Sequence, residues 1–278
     1  MPTASEKRRT FRELHQSGCF VLPNPWDIGS ARYLQGMGFT SLATTSAGFA
    51  FSRALPDNAV ARDAMLAHIA EIVAATDLPV NADFENAFAD DPGGVAENVR
   101  LCIETGVAGL SVEDTTRGGS GPERLYPLEL AVERVKAARE AIDDAGGEVT
   151  LTARAECFFV GVRDLDEAIR RLMAYSEAGA DCLYAPGIRS REQIEAVVAA
   201  VAPKPVNLLV GWAAEFTVAE FAAMGVRRIS TGGALALAAW GGFQRAVKGL
   251  LEDGSFAGFA DNPRDIGAFF SDDLANRG

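Results

Sequence analysis

Eight short runs of apolar residues punctuate the chain, and between them lie longer stretches whose apolar positions recur at helical spacing. The runs are Phe20 to Pro25, Ser41 to Ser46, Pro79 to Glu85, Gly109 to Asp114, Thr150 to Glu156, Cys182 to Gly187, Pro205 to Val210 and Arg227 to Gly232. They begin about 20 to 40 residues apart, the length that a strand, a helix and two loops consume. Alternation of this kind predicts successive β/α units, and eight of them predict a closed (β/α)8 barrel. A doubly wound open sheet is the competing architecture, because periodicity does not show whether a sheet closes, but no Gly-x-Gly-x-x-Gly follows the first run. Helix stops and starts agree with the units. Asp27 caps a helix running through Met37 to a stop at Gly38, Asp164 caps one that ends at Gly179, and Thr217 precedes one that ends at Gly225.

Several runs break into carboxylates at their C-terminal ends, the end where a (β/α)8 barrel carries its chemistry. Val80-Asn81-Ala82-Asp83-Phe84-Glu85 and, one unit later, Leu110-Ser111-Val112-Glu113-Asp114 would bring Asp83, Glu85 and Glu113 together. Like charges about 4 Å apart repel by roughly 4 kcal/mol at an effective dielectric near 20. Either their pKa values rise or a cation sits among them. With only hard oxygen donors in both motifs, Mg²⁺ or Mn²⁺ is the expected ion; separate pairing of each acid with lysine or arginine is the plainer alternative. On the fifth run, period-two alternation puts Arg154 and Glu156 on one face, so Arg154 either clamps a substrate carboxylate or pairs with Glu156. After the second run, Ser46, Ala47 and Gly48 are small enough for their backbone N–H groups to cradle an anion. Asn24, Trp26 and Asn207 are candidate pocket-lining groups. His15 and His68 fall outside the strand ends, so no histidine base is expected.

The chain has 278 residues and 48% hydrophobic composition, enough for one barrel domain over 1–255 and a tail over 256–278. Four aromatics in that tail, Phe256, Phe259, Phe269 and Phe270, call for a surface to cover, either the barrel or a partner subunit. Thr115 to Leu125 is too rich in glycine and charge for a helix and reads as a mobile loop over the barrel mouth. A net charge of −12 with no basic cluster argues against nucleic acid or an anionic membrane as partner. Cys19, Cys102, Cys157 and Cys182 lack the spacing of a zinc or disulfide framework and read as reduced packing residues. A polar N-terminus and the lack of an apolar run of about 18 residues make the cytoplasm the expected compartment.

Taken in order, these pieces resemble the isocitrate lyase/phosphoenolpyruvate mutase superfamily. The resemblance covers most of the chain, through Pro23 to Asp27, Thr45 to Gly48, Leu55 to Asp57, Asn81 to Glu85, Val112 to Asp114, Ala153 to Glu156, Pro205 to Asn207 and Gly225 to Ser230. It implies a barrel whose Mg²⁺ is held by Asp83, with Glu85 and Glu113 acting directly or through water and Asp57 in support. It further implies that Ser46, Ala47 and Gly48 cradle the substrate, that Arg154 binds its carboxylate or developing enolate, and that the last helix is exchanged between subunits of a homodimer or homotetramer. Three departures bear on substrate. Thr115 to Leu125 has none of the lysine, cysteine and histidine of the loop that isocitrate and methylisocitrate lyases carry there, the asparagine-bearing or lysine-bearing gating loop of the mutase and phosphonopyruvate hydrolase branch is missing too, and Glu85 stands where the family more often has aspartate. The implied activity is Mg²⁺-dependent cleavage or formation of a C–C bond beside the carbonyl of a small 2-oxo or 2-hydroxy (di)carboxylate, such as an oxaloacetate-type decarboxylation or a retro-aldol reaction. P–C bond chemistry on a phosphonate such as phosphonopyruvate, and 2-oxo acid binding without turnover, are the rival readings.

Overall fold

A computed structural model describes residues 2–117 and 122–276. Its eight strands are β1 (Phe20–Leu22), β2 (Leu42–Ala43), β3 (Val80–Asp83), β4 (Gly109–Glu113), β5 (Thr150–Arg154), β6 (Cys182–Tyr184), β7 (Val206–Leu209) and β8 (Arg228–Ser230). All pair in parallel, in the order β1-β8-β7-β6-β5-β4-β3-β2. The seam between β1 and β2 is bridged by a hydrogen bond from Ala43 N to Pro23 O of 3.0 Å, so the sheet forms a nearly closed (β/α)8 barrel rather than an open sheet. Asn24 reinforces the seam: its Nδ2 donates to Thr44 O, and its Oδ1 accepts from the backbone of Thr231 and Gly232.

Each strand lies inside the run that predicted it and stops short of its end. The excess residues leave the ladder to form the mouth, where their side chains are freed from strict alternation. The predicted caps are present: Asp27 accepts from Ser30 N, Asp164 from Asp166 N and Glu167 N, and Thr217 from Glu220 N. Gly38, Gly179 and Gly225 have φ of +89°, +103° and +90°, a backbone that a residue without Cβ adopts readily.

Among the described residues the helices are α1 (Ala4–Leu14), α2 (Ile28–Gly36), α3 (Ser46–Ser52), α4 (Arg62–Ala75), α5 (Pro92–Glu104), α6 (Leu128–Asp144), α7 (Leu165–Glu177), α8 (Arg191–Val201), α9 (Val218–Ala223), α10 (Ala234–Asp253) and α11 (Ile266–Ala275). Helix α1 lies in the segment that the sequence marks only as polar. Its signal is the box in which Thr3 and Glu6 cap each other's backbone. It buries Phe11 against Phe20, Leu22, Ala43 and Ala108. No helix among the described residues is long and apolar enough to cross a membrane.

The tail divides in two. Helix α11 packs on α2: the Phe269 ring lies 4.8 Å from Tyr33 and fills the space that a Cβ at Gly36 would need, and Arg32 Nε donates to Asp273 Oδ2 at 3.1 Å. Phe256 and Phe259 stay exposed, as do Leu237, Phe243 and Val247 along α10.

His68 is buried and His15 half-buried, both in neutral form. Burial lowers His15 to about 3, with Arg228 adding to the effect, and burial lowers His68 to about 4 against the pull of Asp27. His68 stacks flat on Phe49 at 3.8 Å, and its Nε2 has no hydrogen-bond partner among the described residues. Because its folded pKa is depressed below the ordinary 6.5, the unfolded chain takes up a proton that the folded one refuses, and stability is lost as pH falls from about 6.5 towards 4. The buried acids Glu85 and Glu156 work in the opposite sense, so the clean reading is a difference. Between pH 7 and pH 5, His68→Phe should gain about 2 kcal/mol on the parent protein, measured by paired denaturant titrations. An offset that stays constant with pH would refute this.

Candidate active site

At the C-terminal ends of the strands a cavity of about 440 Å³ opens, and it reaches well into the barrel. Barrels of this type are ordinarily filled by branched side chains. Here Ala43, Asn81 and Ser111 take interior positions, and their small volume leaves the space. Around its mouth stand Asp57, Asp83, Glu113, Glu123, Arg154 and Glu156.

Arg154 is the hub. Its Nη1 lies 2.9 Å from Asp83 Oδ1 and 2.7 Å from Glu113 Oε1, and its Nε lies 2.8 Å from Glu156 Oε1. The Tyr184 ring underlies the guanidinium at 4.8 Å. Register explains the convergence, since Glu113 pairs with Arg154 and Arg154 with Tyr184 across adjacent strands. On the other side of Asp83, Oδ2 accepts from both the backbone N and the Oγ of Ser46, each at 2.9 Å. This fixes the first turn of α3 to β3.

The acids repel one another. Burial, with Glu156, Asp83 and Glu85 adding charge, drives Glu113 well above the ordinary carboxylate range despite Arg154. Burial and then Asp83 raise Asp57. Glu85 is pushed up to about 8, by burial and by Asp83 and Asp57 against the opposing pull of Arg117, and burial pushes Glu156 up to about 7. Hard carboxylate oxygens that raise each other's pKa around one cavity are chemically suited to a divalent cation. Among the described residues, no three of them already converge as a coordination shell. Arg154 Nη1 stands between Asp83 and Glu113, in the position where positive charge is wanted.

Of the residues singled out in the sequence, Asp57, Asp83, Glu113, Arg154, Ser46, Ala47, Asn24 and Asn207 line this cavity. Three do not. Glu85 is expected beside Asp83, but the strand ends at Asp83 and Glu85 takes φ +48°, which breaks the alternation. Its carboxylate instead meets Arg117 Nε at 2.7 Å, while remaining near enough to Asp83 and Asp57 to feel their charge. Trp26 lies in the bend that precedes α2 and lines a separate groove with Trp240 and Phe243. The N–H of Gly48 is spent on the Thr45 Oγ1 cap, so it is not free to cradle an anion. The His15 and His68 side chains lie away from the mouth, as expected.

Sequence reasoning overlooks Asn58, Tyr184 and Arg228, all of which line the cavity. Tyr184 had a signal, as the last residue of a strand; Asn58, in a loop, had none. The stems of the 115–125 segment are joined by a Thr115–Leu125 bridge. They grip the loop before α4, with Arg117 Nη2 on Asn58 O and Val60 O and Glu123 Oε1 on Asn58 Nδ2. Of the expected mobile loop over 115–125, residues 118–121 lie outside the described residues.

The sequence and the barrel fold have counterparts among known proteins, in a superfamily of lyases and mutases. The chain belongs to the phosphoenolpyruvate phosphomutase family, whose sequence model matches residues 11–251. It is similar to a Burkholderia cenocepacia J2315 protein described as a candidate lyase/mutase, with 49% identity, a TM-score of 0.91, and 96% of this chain and 97% of that one covered. Oxaloacetate decarboxylase of Pseudomonas putida (strain GB-1) is 32% identical over 208 residues, 71% of this chain and 69% of that protein. The structure of 2,3-dimethylmalate lyase is 25% identical with a TM-score of 0.84, covering 100% of this chain and 98% of that one.

Proposed function

We propose that the protein is a Mg²⁺- or Mn²⁺-dependent carbon–carbon lyase that acts on a small 2-oxo or 2-hydroxy carboxylate or dicarboxylate. The observation that carries this reading is the sharing of one guanidinium by Asp83 and Glu113 across a common cavity. Asp83 and Glu113, with Asp57 beside them and Glu85 acting through water, would hold the ion, which when bound polarises the carbonyl or hydroxyl oxygen of the substrate.

The protein's own groups do the rest. Ser46 orients Asp83 through two hydrogen bonds. Arg154, stacked on Tyr184 and tied to Glu156, holds a fixed positive charge against the enolate-like charge that develops on cleavage. Ala47 and Asn207 shape the cavity walls. Names of relatives support cleavage of both kinds expected from the sequence, decarboxylation and retro-aldol reaction. The family model's own description favours a second reading, P–C bond chemistry on a phosphonate. The exposed apolar face of α10 supports assembly as a homodimer or homotetramer, including exchange of the terminal helices.

A panel of oxo-, hydroxy- and phosphono-carboxylates, incubated with and without Mg²⁺ and followed by ¹H and ³¹P NMR, separates the readings. A lyase releases a 2-oxo acid only with the metal, and Glu113→Gln removes the release. A change confined to phosphorus resonances supports the second reading. If Asp83→Ala and Glu113→Gln leave metal affinity untouched and no substrate of the panel turns over, the site assignment is wrong.

A further inference from the structure

Below the mouth, Arg228 enters the barrel from β8 and is only 2% exposed. Its Nε donates to Asn207 Oδ1 at 2.7 Å and its Nη2 to Thr152 Oγ1 at 2.9 Å. Nη1 lies 3.2 Å from His15 Nε2. The carbonyl of Phe11, 2.7 Å from His15 Nδ1, only accepts, so Nδ1 carries the proton and Nε2 offers its lone pair to Arg228. Low basicity keeps the imidazole neutral.

All three partners are therefore uncharged, and among the described residues no carboxylate lies within ion-pair distance of Arg228. A buried guanidinium without a counter-ion is costly. Arg134 is equally buried and donates through its two Nη atoms to the carbonyls of Asn86, Ala89 and Asp90, so burial among neutral acceptors alone marks no site. What separates Arg228 is that it lines the cavity, beside Asn207 and Ser230.

Depth supplies the second observation. Thr152, Ser111 and Asn81 precede Arg154, Glu113 and Asp83 by two residues on the same strand faces, about 6.6 Å back along each strand, which at the usual tilt of about 36° sets them about 5 Å deeper along the barrel axis. Arg228 bonds at the Thr152 level, and the cavity runs down to it past Ser111, Asn81 and Ala43. Carboxyl carbons separated by three C–C bonds lie about 4 Å apart, so a short diacid standing along the barrel axis reaches from the mouth to the floor.

We propose that Arg228 receives a second carboxylate of the substrate, remote from the 2-oxo or 2-hydroxy end, and thereby selects diacids. This rests on the reading of the mouth as a metal-dependent 2-oxo or 2-hydroxy acid site. A carboxylate leaving as CO₂ sheds the charge that Arg228 holds, so anchoring it would stabilise the ground state more than the transition state. The anchored group is thus one that the products retain, which narrows the reaction to retro-aldol cleavage of a diacid: the 2-hydroxyl loses its proton and becomes a carbonyl, the C2–C3 bond breaks with its electron pair passing to C3, and C3 takes a proton in return. Asn207 and His15 act as positioning residues that hold the guanidinium from the side and from below.

The test titrates the Mg²⁺-loaded protein with malate and with 2-hydroxybutanoate, in which a methyl group replaces the remote carboxylate. Wild type should prefer malate by about 10- to 100-fold, the worth of a hydrogen-bonded charge pair. Arg228→Met should lower malate to the level of 2-hydroxybutanoate and leave the latter within about twofold, and Arg228→Lys should restore part of the preference. Equal affinities in wild type, or equal weakening of both ligands in Arg228→Met, overturn the assignment to Arg228 alone. The wild-type comparison stands even where a variant folds poorly. If neither ligand binds with Mg²⁺ present, the metal-centred reading falls and the assignment falls with it.

Discussion

Replacing Arg154 with methionine should cut turnover by about 10²- to 10³-fold while leaving Mg²⁺ affinity equal or higher. The loss follows from removing a preorganised charge aimed at developing enolate density, for which deletions of single groups cost this much. The retained affinity follows from position. Nη1 sits within 2.9 Å of Asp83 and 2.7 Å of Glu113, the same oxygens that a divalent ion would use, so guanidinium and ion compete for them. Methionine keeps much of the apolar stem's volume and contributes no charge to that competition. Calorimetric titration with Mg²⁺ and Mn²⁺, beside the NMR product assay, reads both quantities. If affinity for the metal collapses together with turnover, Arg154 is part of the ion's support and not its competitor, and the picture of the mouth given above is wrong.

Asp114→Ala should be among the most damaging substitutions to stability, by about 3–5 kcal/mol, for a reason unrelated to chemistry at the mouth. Asp114 follows Glu113 directly, yet its side chain meets a different set of partners. Oδ2 accepts from Tyr175 Oη at 2.6 Å and Arg171 Nη1 at 3.1 Å, and Oδ1 accepts from Glu156 N at 2.8 Å. The carboxylate thus ties α7 to the ends of β4 and β5. Its removal leaves a buried guanidinium with Glu167 as its remaining anion and a buried phenol without its acceptor. The melting temperature should fall on the order of 10 °C. Asp114→Asn keeps one acceptor and should fall less. A shift under about 3 °C for the alanine variant would show that water replaces the carboxylate without loss. Because Asp114 also holds the backbone of Glu156, which pairs with Arg154, activity should drop in Asp114→Asn even where the protein stays folded.

Glu113 and Asp114 together mark the boundary between what the chain states locally and what it does not. The sequence by itself determined the eight strands, the caps at Asp27, Asp164 and Thr217, the stops at Gly38, Gly179 and Gly225, and the gathering of acids at one end of the barrel. These depend on alternation, helical period and turn chemistry, which act over a few residues. Alternation also separates Glu113 from Asp114. Where the ladder ends, that rule lapses: Glu85, at a φ of +48°, pairs with Arg117, and Trp26, past Pro25, lines a groove other than the cavity. Nor could the runs show that Arg154 would bridge two acids, that the tail aromatic Phe269 would seat on Gly36, or that α1, β5, β7 and β8 would converge on Arg228. Such meetings join residues as distant in the chain as Gly36 and Phe269 and are decided by strand register, barrel closure and available volume, none of which is written in any single stretch of the chain.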